Sequence, residues 1–226
     1  GNGKKLSING QIDRVDVAQG ENCTYLRIID YKTGNASVNI EDIFRGMQLQ
    51  LLVYLQVVLD NHLYFAPGEA EPAGMYYLGV RDHVLSGEMP AEDEEAEPVG
   101  LKLTGLTVLN EEAVRLADPD INGHSKLIPA ALSAKGFFAN SPGVGEERFG
   151  LLRNYLMTTL RATASQLLAG LVEVAPRRDK NFDACAYCDY RRFCGFDRTL
   201  AEPQVGKRYS KAAIWQMLEG GDAHGL

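Results

Sequence analysis

Asp30-Tyr31-Lys32-Thr33-Gly34, taken with the earlier Gly10-Gln11-Ile12-Asp13-Arg14-Val15-Asp16, decides how this chain is read. Both stretches lie within Leu6 to Lys32, a region rich in β-branched and aromatic residues that predicts two antiparallel strands. The turn-rich Gln19-Gly20-Glu21-Asn22 between them predicts a hairpin. Side chains two apart on a strand share a face, so Asp30 and Lys32 emerge side by side. Across the hairpin, Asp13 brings a second carboxylate to that face. Two carboxylates and a lysine on one sheet edge suit a divalent cation, a water and a phosphate group. The same residues also fit a solvated strand end running into a turn.

Gln50 and Tyr54, four apart in the next segment, share one face of a helix and can overlook the same edge. The order Gly-x-Ile-Asp, Asp-Tyr-Lys-Thr-Gly, Gln-x-x-x-Tyr resembles the RecB-type nucleases of the PD-(D/E)xK superfamily. That resemblance implies an α/β fold with a restriction-endonuclease-like core, in which a central mixed sheet is flanked by helices. It implies that Asp13, Asp30 and the main-chain carbonyl of Tyr31 ligate Mg²⁺, and that Lys32 steers the attacking water and neutralises the phosphate. Gln50 and Tyr54 would then position the water, the lysine or the scissile strand. Asp13 fits Gly-x-Ile-Asp, whereas Asp16 faces the other way on a regular strand and is expected in a salt bridge or supporting role, for example with Arg14. A bulge would exchange the two.

Working outward, Thr33 to Asn39 reads as a loop and Ile40 to Asn61 as one helix, with Glu41 and Asp42 in its first turn. Phe44, Met47, Leu51, Leu55 and Val58 form its apolar stripe. A strand is expected from Ala73 to Val84, with Met75 in the core and Tyr76 and Tyr77 as a core-and-surface pair. A short strand from Leu103 to Leu109, a short helix from Glu111 to Ala117 and a loop from Pro119 to Gly145 follow. Leu152, Leu156, Leu160, Leu167 and Leu171 predict a long amphipathic helix from Glu146 to Glu173, closed by Pro176. A last helix is expected around Ala212 to Leu218, packed through Trp215. The expected organisation is a nuclease-like core (1–175), a cysteine-rich segment (176–200) and a C-terminal tail (201–226).

The chain of 226 residues is 45% hydrophobic, a globular composition large enough for one sizeable domain. No apolar run reaches bilayer-spanning length and no signal peptide precedes the first strand, so no membrane role and a cytoplasmic location are expected. The start at Gly1-Asn2-Gly3, without methionine, reads as a fragment carrying part of a vector remnant. A net charge of −7 does not favour nucleic acid as a partner. Much of it comes from Glu92-Asp93-Glu94-Glu95-Ala96-Glu97, which reads as a solvated loop. Arg177, Arg178, Lys180, Arg191, Arg192, Arg198, Lys207, Arg208 and Lys211 reverse the sign toward the end. Arg191, Arg192 and Lys180 suit either phosphate contact or a solvated face.

Three of the four cysteines cluster as Cys185-x-x-Cys188-x-x-x-x-x-Cys194, which points to metal or iron–sulfur ligation rather than a disulfide framework. Zinc would need a histidine or a fourth thiolate, and His83, His124 and His224 are remote in sequence. An iron–sulfur cluster would need four ligands, and Cys23 in the predicted hairpin turn is an unpromising fourth. With Cys-x-x-Cys-x-x-x-x-x-Cys-Gly-Phe-Asp, Glu71-Pro72-Ala73-Gly74 and Ala184-Cys185-Ala186-Tyr187-Cys188, the resemblance narrows to the nuclease domains of AddB subunits in bacterial AddAB helicase–nucleases. It covers about Ile8 to Asp197.

This narrower resemblance implies a structural [4Fe–4S] cluster on Cys185, Cys188 and Cys194, with a fourth cysteine outside this chain. It implies an AddA-like partner, single-stranded DNA of 5′ polarity as substrate and a role in double-strand-break repair and recombination. A helix that precedes the first strand in related nucleases is expected to be missing. The competing readings are a catalytically silent DNA-binding module on the same fold and a zinc-ribbon module. The last uses only the final fifth of the chain and leaves Gln50, Tyr54 and the hairpin unexplained.

Overall fold

A computed structural model describes residues 5–34, 36–80, 102–171, 173–179, 182–197, 199 and 203–221. The acidic run at 92–97, the 81–84 end of the expected strand, Lys180, Arg198, His83 and His224 lie outside the described residues.

The hairpin forms as expected. Strands β1 (Arg14–Gln19) and β2 (Thr24–Lys32) pair antiparallel, with Arg14 opposite Ile29. Parallel strands need a crossover, and helices α1 (Ile40–Phe44) and α2 (Gln50–Asp60) supply it between β2 and the parallel strand β3 (Ala70–Gly79). Strand β4 (Thr104–Thr107) adds antiparallel to β3 and completes a mixed four-stranded sheet in the order β1-β2-β3-β4. Pro72 cannot donate to a ladder, and the β2–β3 register shifts beside it, with Leu26 opposite Pro72 but Arg27 opposite Gly74.

The single helix expected over Ile40 to Asn61 is two helices. Gly46 takes a left-handed φ of 72°, and its N–H caps Ile43 O at 2.9 Å, so the chain turns before α2 begins. The apolar stripe runs through this break, which hid it; Met47 sits half-buried in the turn. Beyond the turn, α2 buries Leu51, Leu52, Leu55, Val58 and Leu59.

Leu26 and Ile28 of β2 and Met75 and Tyr77 of β3 form one core with α1, α2 and two later helices. The first of these follows helix α3 (Glu111–Ala117) and strands β5 (Gly123–His124), β6 (Ala131–Ser133) and β7 (Gly136–Phe137). It is α4 (Glu146–Leu168), which buries Phe149, Leu152, Tyr155 and Leu156. It ends before the expected Glu173, and Leu167 and Leu171 are exposed rather than part of a buried stripe. Strands β8 (Arg177–Asp179), β9 (Phe182–Asp183) and β10 (Gln204–Val205) bracket the cysteines. In the stretch expected as a tail, α5 (Lys211–Gly220) seats Ile214, Trp215 and Leu218 in this same core.

A second layer covers the opposite sheet face. Ile29 and Tyr76 pack there with Val114 of α3, Leu132 of the small β5–β6–β7 sheet, and Ile121 and Ile128 from the segments that flank β5. Pro119 to Gly145 is therefore not simply loop; its strands, two or three residues long, are too short to show alternation. With both faces covered, Tyr76 and Tyr77 are both buried, and the expected core-and-surface pair does not occur. Among the described residues no helix is long and apolar enough to cross a membrane.

Two outcomes test this packing. A Cβ on Gly105 would lie 2.2 Å from Met75 O and 2.7 Å from Tyr76 Cα. Gly105→Ala is expected to lower stability to urea by about 1–3 kcal/mol. Gly150→Ala, at a helical position with open space around it, should raise it by about 0.5–1 kcal/mol.

The second concerns Asp16, paired with Arg14 at 2.6 Å and Arg27 at 2.8 Å. Burial works against its charge, but hydrogen bonds from Arg14 and Arg27 more than offset it and hold its pKa below the ordinary 3.8. A depressed folded-state pKa stabilises the fold above the unfolded value, and the contribution is lost as pH falls through the folded value. Asp16→Asn should cost less than about 1 kcal/mol near neutrality, because the pair is open to solvent. In urea titrations that difference should close as pH is taken below the ordinary carboxylate range.

Candidate active site

The register of the first hairpin builds the centre. Arg14 pairs with Ile29, so Asp13, one residue before β1, stands opposite Asp30. Residues directly opposite in a sheet share a face. Main-chain pairing with β1 stops at Arg14, and the Tyr31 N–H donates to Asp13 Oδ2 at 2.9 Å instead. The Tyr31 carbonyl points to the same side as its N–H, toward Asp13.

Asp30 is only 5% exposed. Its Oδ2 lies 2.5 Å from Lys32 Nζ in an ion pair. The contact with Asp30 raises the Lys32 pKa, burial opposes the rise, and the fields of Asp30 and Asp13 add to it. Lys32 Nζ also lies 5.5 Å from the centre of the Tyr77 ring.

Gln50 opens α2 and donates through Nε2 to Tyr54 Oη at 3.1 Å. The Tyr54 ring packs on Gly10, where a Cβ would sit 2.8 Å from both Cε1 and Oη. Gly10 is thus bare because Tyr54 lies across the segment leading to Asp13. In sequence that glycine is only the first letter of a motif; the Gly10–Tyr54 approach exists only in the folded chain. Asp16, ion-paired with Arg14 and Arg27, stands apart from this centre in register and partners.

Beside Lys32 opens a cleft of about 590 Å³. Lys32, Asn39, Gln48 and Tyr77 line it from the core, and Asp179, Phe182 and Arg208 from the segment around the cysteines. Phe182 carries no sequence signal that would place it there.

The cysteines are all free thiols, with Cys185 half-buried and Cys188 and Cys194 exposed. Cys185 N–H donates to Asp183 Oδ1 at 2.9 Å, and Cys194 Sγ lies 4.0 Å from Arg191 O. Among the described residues no three His, Cys, Asp or Glu side chains stand close enough together to hold a metal. Cys23 lies in the β1–β2 turn, where its carbonyl accepts from Gly20 N–H at 2.9 Å. Arg191 and Arg192 are exposed.

Comparison with known proteins agrees with this geometry. The chain is similar to the B subunit of the ATP-dependent helicase/deoxyribonuclease of Clostridium novyi (strain NT), 36% identical over 221 residues, or 96% of this chain and 20% of that protein. The corresponding B subunit of Pelotomaculum thermopropionicum is 36% identical over 224 residues, covering 96% of this chain and 19% of the relative. That of Thermoanaerobacter sp. (strain X514) is 34% identical over 227 residues, with the same coverage of 96% and 19%. The chain thus spans about a fifth of the length of these relatives. A family model described as the PD-(D/E)XK nuclease superfamily matches residues 1–195. With a mixed sheet flanked by helices and two facing aspartates beside a lysine, the chain belongs to the PD-(D/E)XK nuclease superfamily.

Proposed function

We propose that this chain is the Mg²⁺-dependent nuclease domain of a helicase–nuclease B subunit, hydrolysing phosphodiester bonds of single-stranded DNA. The observation that carries the reading is the placement of Asp13 opposite Asp30, with Lys32 held against Asp30. The donor set suits a hard cation: two carboxylates, of which the buried Asp30 lies against Lys32, and the Tyr31 carbonyl. A bound Mg²⁺ supplies a more acidic water and a counter-charge for the phosphate.

The protein's own groups do the rest. Lys32, held against Asp30, serves as a fixed cation. Its charge offsets the negative charge that builds on the phosphate oxygens as water attacks phosphorus and the leaving oxygen departs. Asp30 holds the ammonium in place, and the Tyr31 N–H holds Asp13. Tyr54 Oη accepts from Gln50, which leaves its own hydrogen to donate to water or phosphate.

By their relatives' names, the parent protein is proposed to act with an ATP-dependent helicase subunit of the AddA type on DNA. Double-strand-break repair and recombination in the cytoplasm is the role we propose for that assembly. Cys185, Cys188 and Cys194 would supply three of the four thiolates that a [4Fe–4S] cluster requires, although in this structure they do not stand together as a ligand set, and the fourth would come from elsewhere in the parent protein. The cluster would then be structural, and no step of hydrolysis is assigned to it.

The test is cleavage of end-labelled single-stranded DNA by this chain with Mg²⁺ or with EDTA. Cleavage is expected with Mg²⁺ and not with EDTA. Lys32→Ala should lower kcat by about 10²–10³-fold through loss of charge stabilisation. Tyr54→Phe should lower it by about tenfold, as one lost hydrogen bond of ~1.4 kcal/mol. If the chain and its parent assembly both fail to cut with Mg²⁺, the silent DNA-binding reading replaces this one.

A further inference from the structure

Arg45 lies in the turn between α1 and α2 and is only 4% exposed. Burying a guanidinium is costly unless it is paired. Nη1 pairs with the Asp179 carboxylate of β8, while Nε is buried and meets no acceptor among the described residues. The Arg45 carbonyl accepts from Arg177 Nη1 at 2.6 Å. A Cβ on Gly206, just after β10, would lie 2.2 Å from Arg45 Nη2, so that backbone rests directly on the guanidinium. Arg208 Nη2 donates to the other Asp179 oxygen at 2.6 Å, and Arg208 Nη1 stands 3.7 Å from Glu41 Oε2 in α1. The chain before the cysteines and the chain after them therefore converge on one buried side chain.

Arg45 also leads into the cleft beside Lys32. Three residues on, Gln48 donates to Ser37 O at 3.1 Å and accepts from Asn39 N–H at 2.9 Å, on the wall that includes Lys32. Two residues further, Gln50 begins α2. On the other side, β8 pairs with β9, whose Phe182 lines the cleft and whose Asp183 accepts the Cys185 N–H.

We propose that Arg45 is a positioning residue that couples the cysteine-bearing segment to the cleft beside Lys32, so that a change at Cys185, Cys188 or Cys194 is felt at Gln48 and Gln50. The inference rests on the nuclease reading for its activity arm alone. Removing one partner of a buried ion pair is destabilising in itself, so a loss of stability in an Arg45 variant does not distinguish coupling from packing. Coupling is distinguished from packing by non-additivity: once Arg45 is replaced, alkylation at the cysteines should have no further effect on the cleft.

The test uses this chain with Cys23→Ser, so that only the three late thiols react with iodoacetamide. Arg45→Met should speed alkylation of Cys185, followed by mass spectrometry, by about five- to tenfold, and lower kcat on single-stranded DNA with KM little changed. Alkylating the parent chain should lower kcat, and alkylating Arg45→Met should lower it no further. Arg208→Gln, at an exposed partner of the same carboxylate, should act in the same direction more weakly and guards against a misfolded Arg45 variant. Unchanged Cys185 alkylation in both variants would overturn the proposal and leave a packing ion pair. So would independent, multiplying effects of alkylation and Arg45→Met on kcat. If the parent chain does not cut DNA at all, the nuclease reading fails, and the alkylation rates still decide the coupling.

Discussion

Two carboxylates facing each other across the first hairpin are the constraint on which the site depends. Asp13 and Asp30 share a face because Arg14 pairs with Ile29, and like charges set opposite each other repel unless something intervenes. The fold supplies Lys32 against Asp30 and the Tyr31 N–H against Asp13. The rest of the architecture fixes this register: α2 and α4 bury one sheet face, and α3 with the short strands buries the other. A slip of one residue would turn Asp30 and Lys32 to the opposite face and bury the wrong side chains.

The hairpin was legible because its alternation is regular and its turn residues are plain. Asp30 and Lys32 share a face by period alone, and the nine-residue strand carrying them is long enough to show it. Gln50 and Tyr54 were legible for the same reason at helical spacing, and they do bond to each other. Gly10 could not be understood from sequence, because what occupies its missing Cβ is a ring 44 positions away. The break at Gly46 was masked by an apolar stripe that runs through it. The second layer was missed because its strands are only two or three residues long, and with it the burial of Tyr77 as well as Tyr76.

The net charge of −7 is a poor guide to this site, since charge acts over about a Debye length and the residues at issue are local. Two acids in and beside the cleft are ion-paired. Asp179 is held by Arg45 and Arg208, and Asp30 by Lys32. The cysteine segment, which in sequence looks like an appendage, supplies one wall of the cleft through Asp179, Phe182 and Arg208. Its attachment to the core is electrostatic and concentrated at Arg45, where a hydrophobic contact would have been less specific.

The central claim is that the facing aspartates form a divalent-cation site, and a crystal of this chain soaked in Mn²⁺ tests it most directly. Anomalous scattering should place one ion between the Asp13 and Asp30 carboxylates and the Tyr31 carbonyl, and Asp30→Asn should remove it. An ion found only in the acidic part of the cleft near Asp42 and Asp179, or none between the two aspartates at saturating Mn²⁺, would contradict the account.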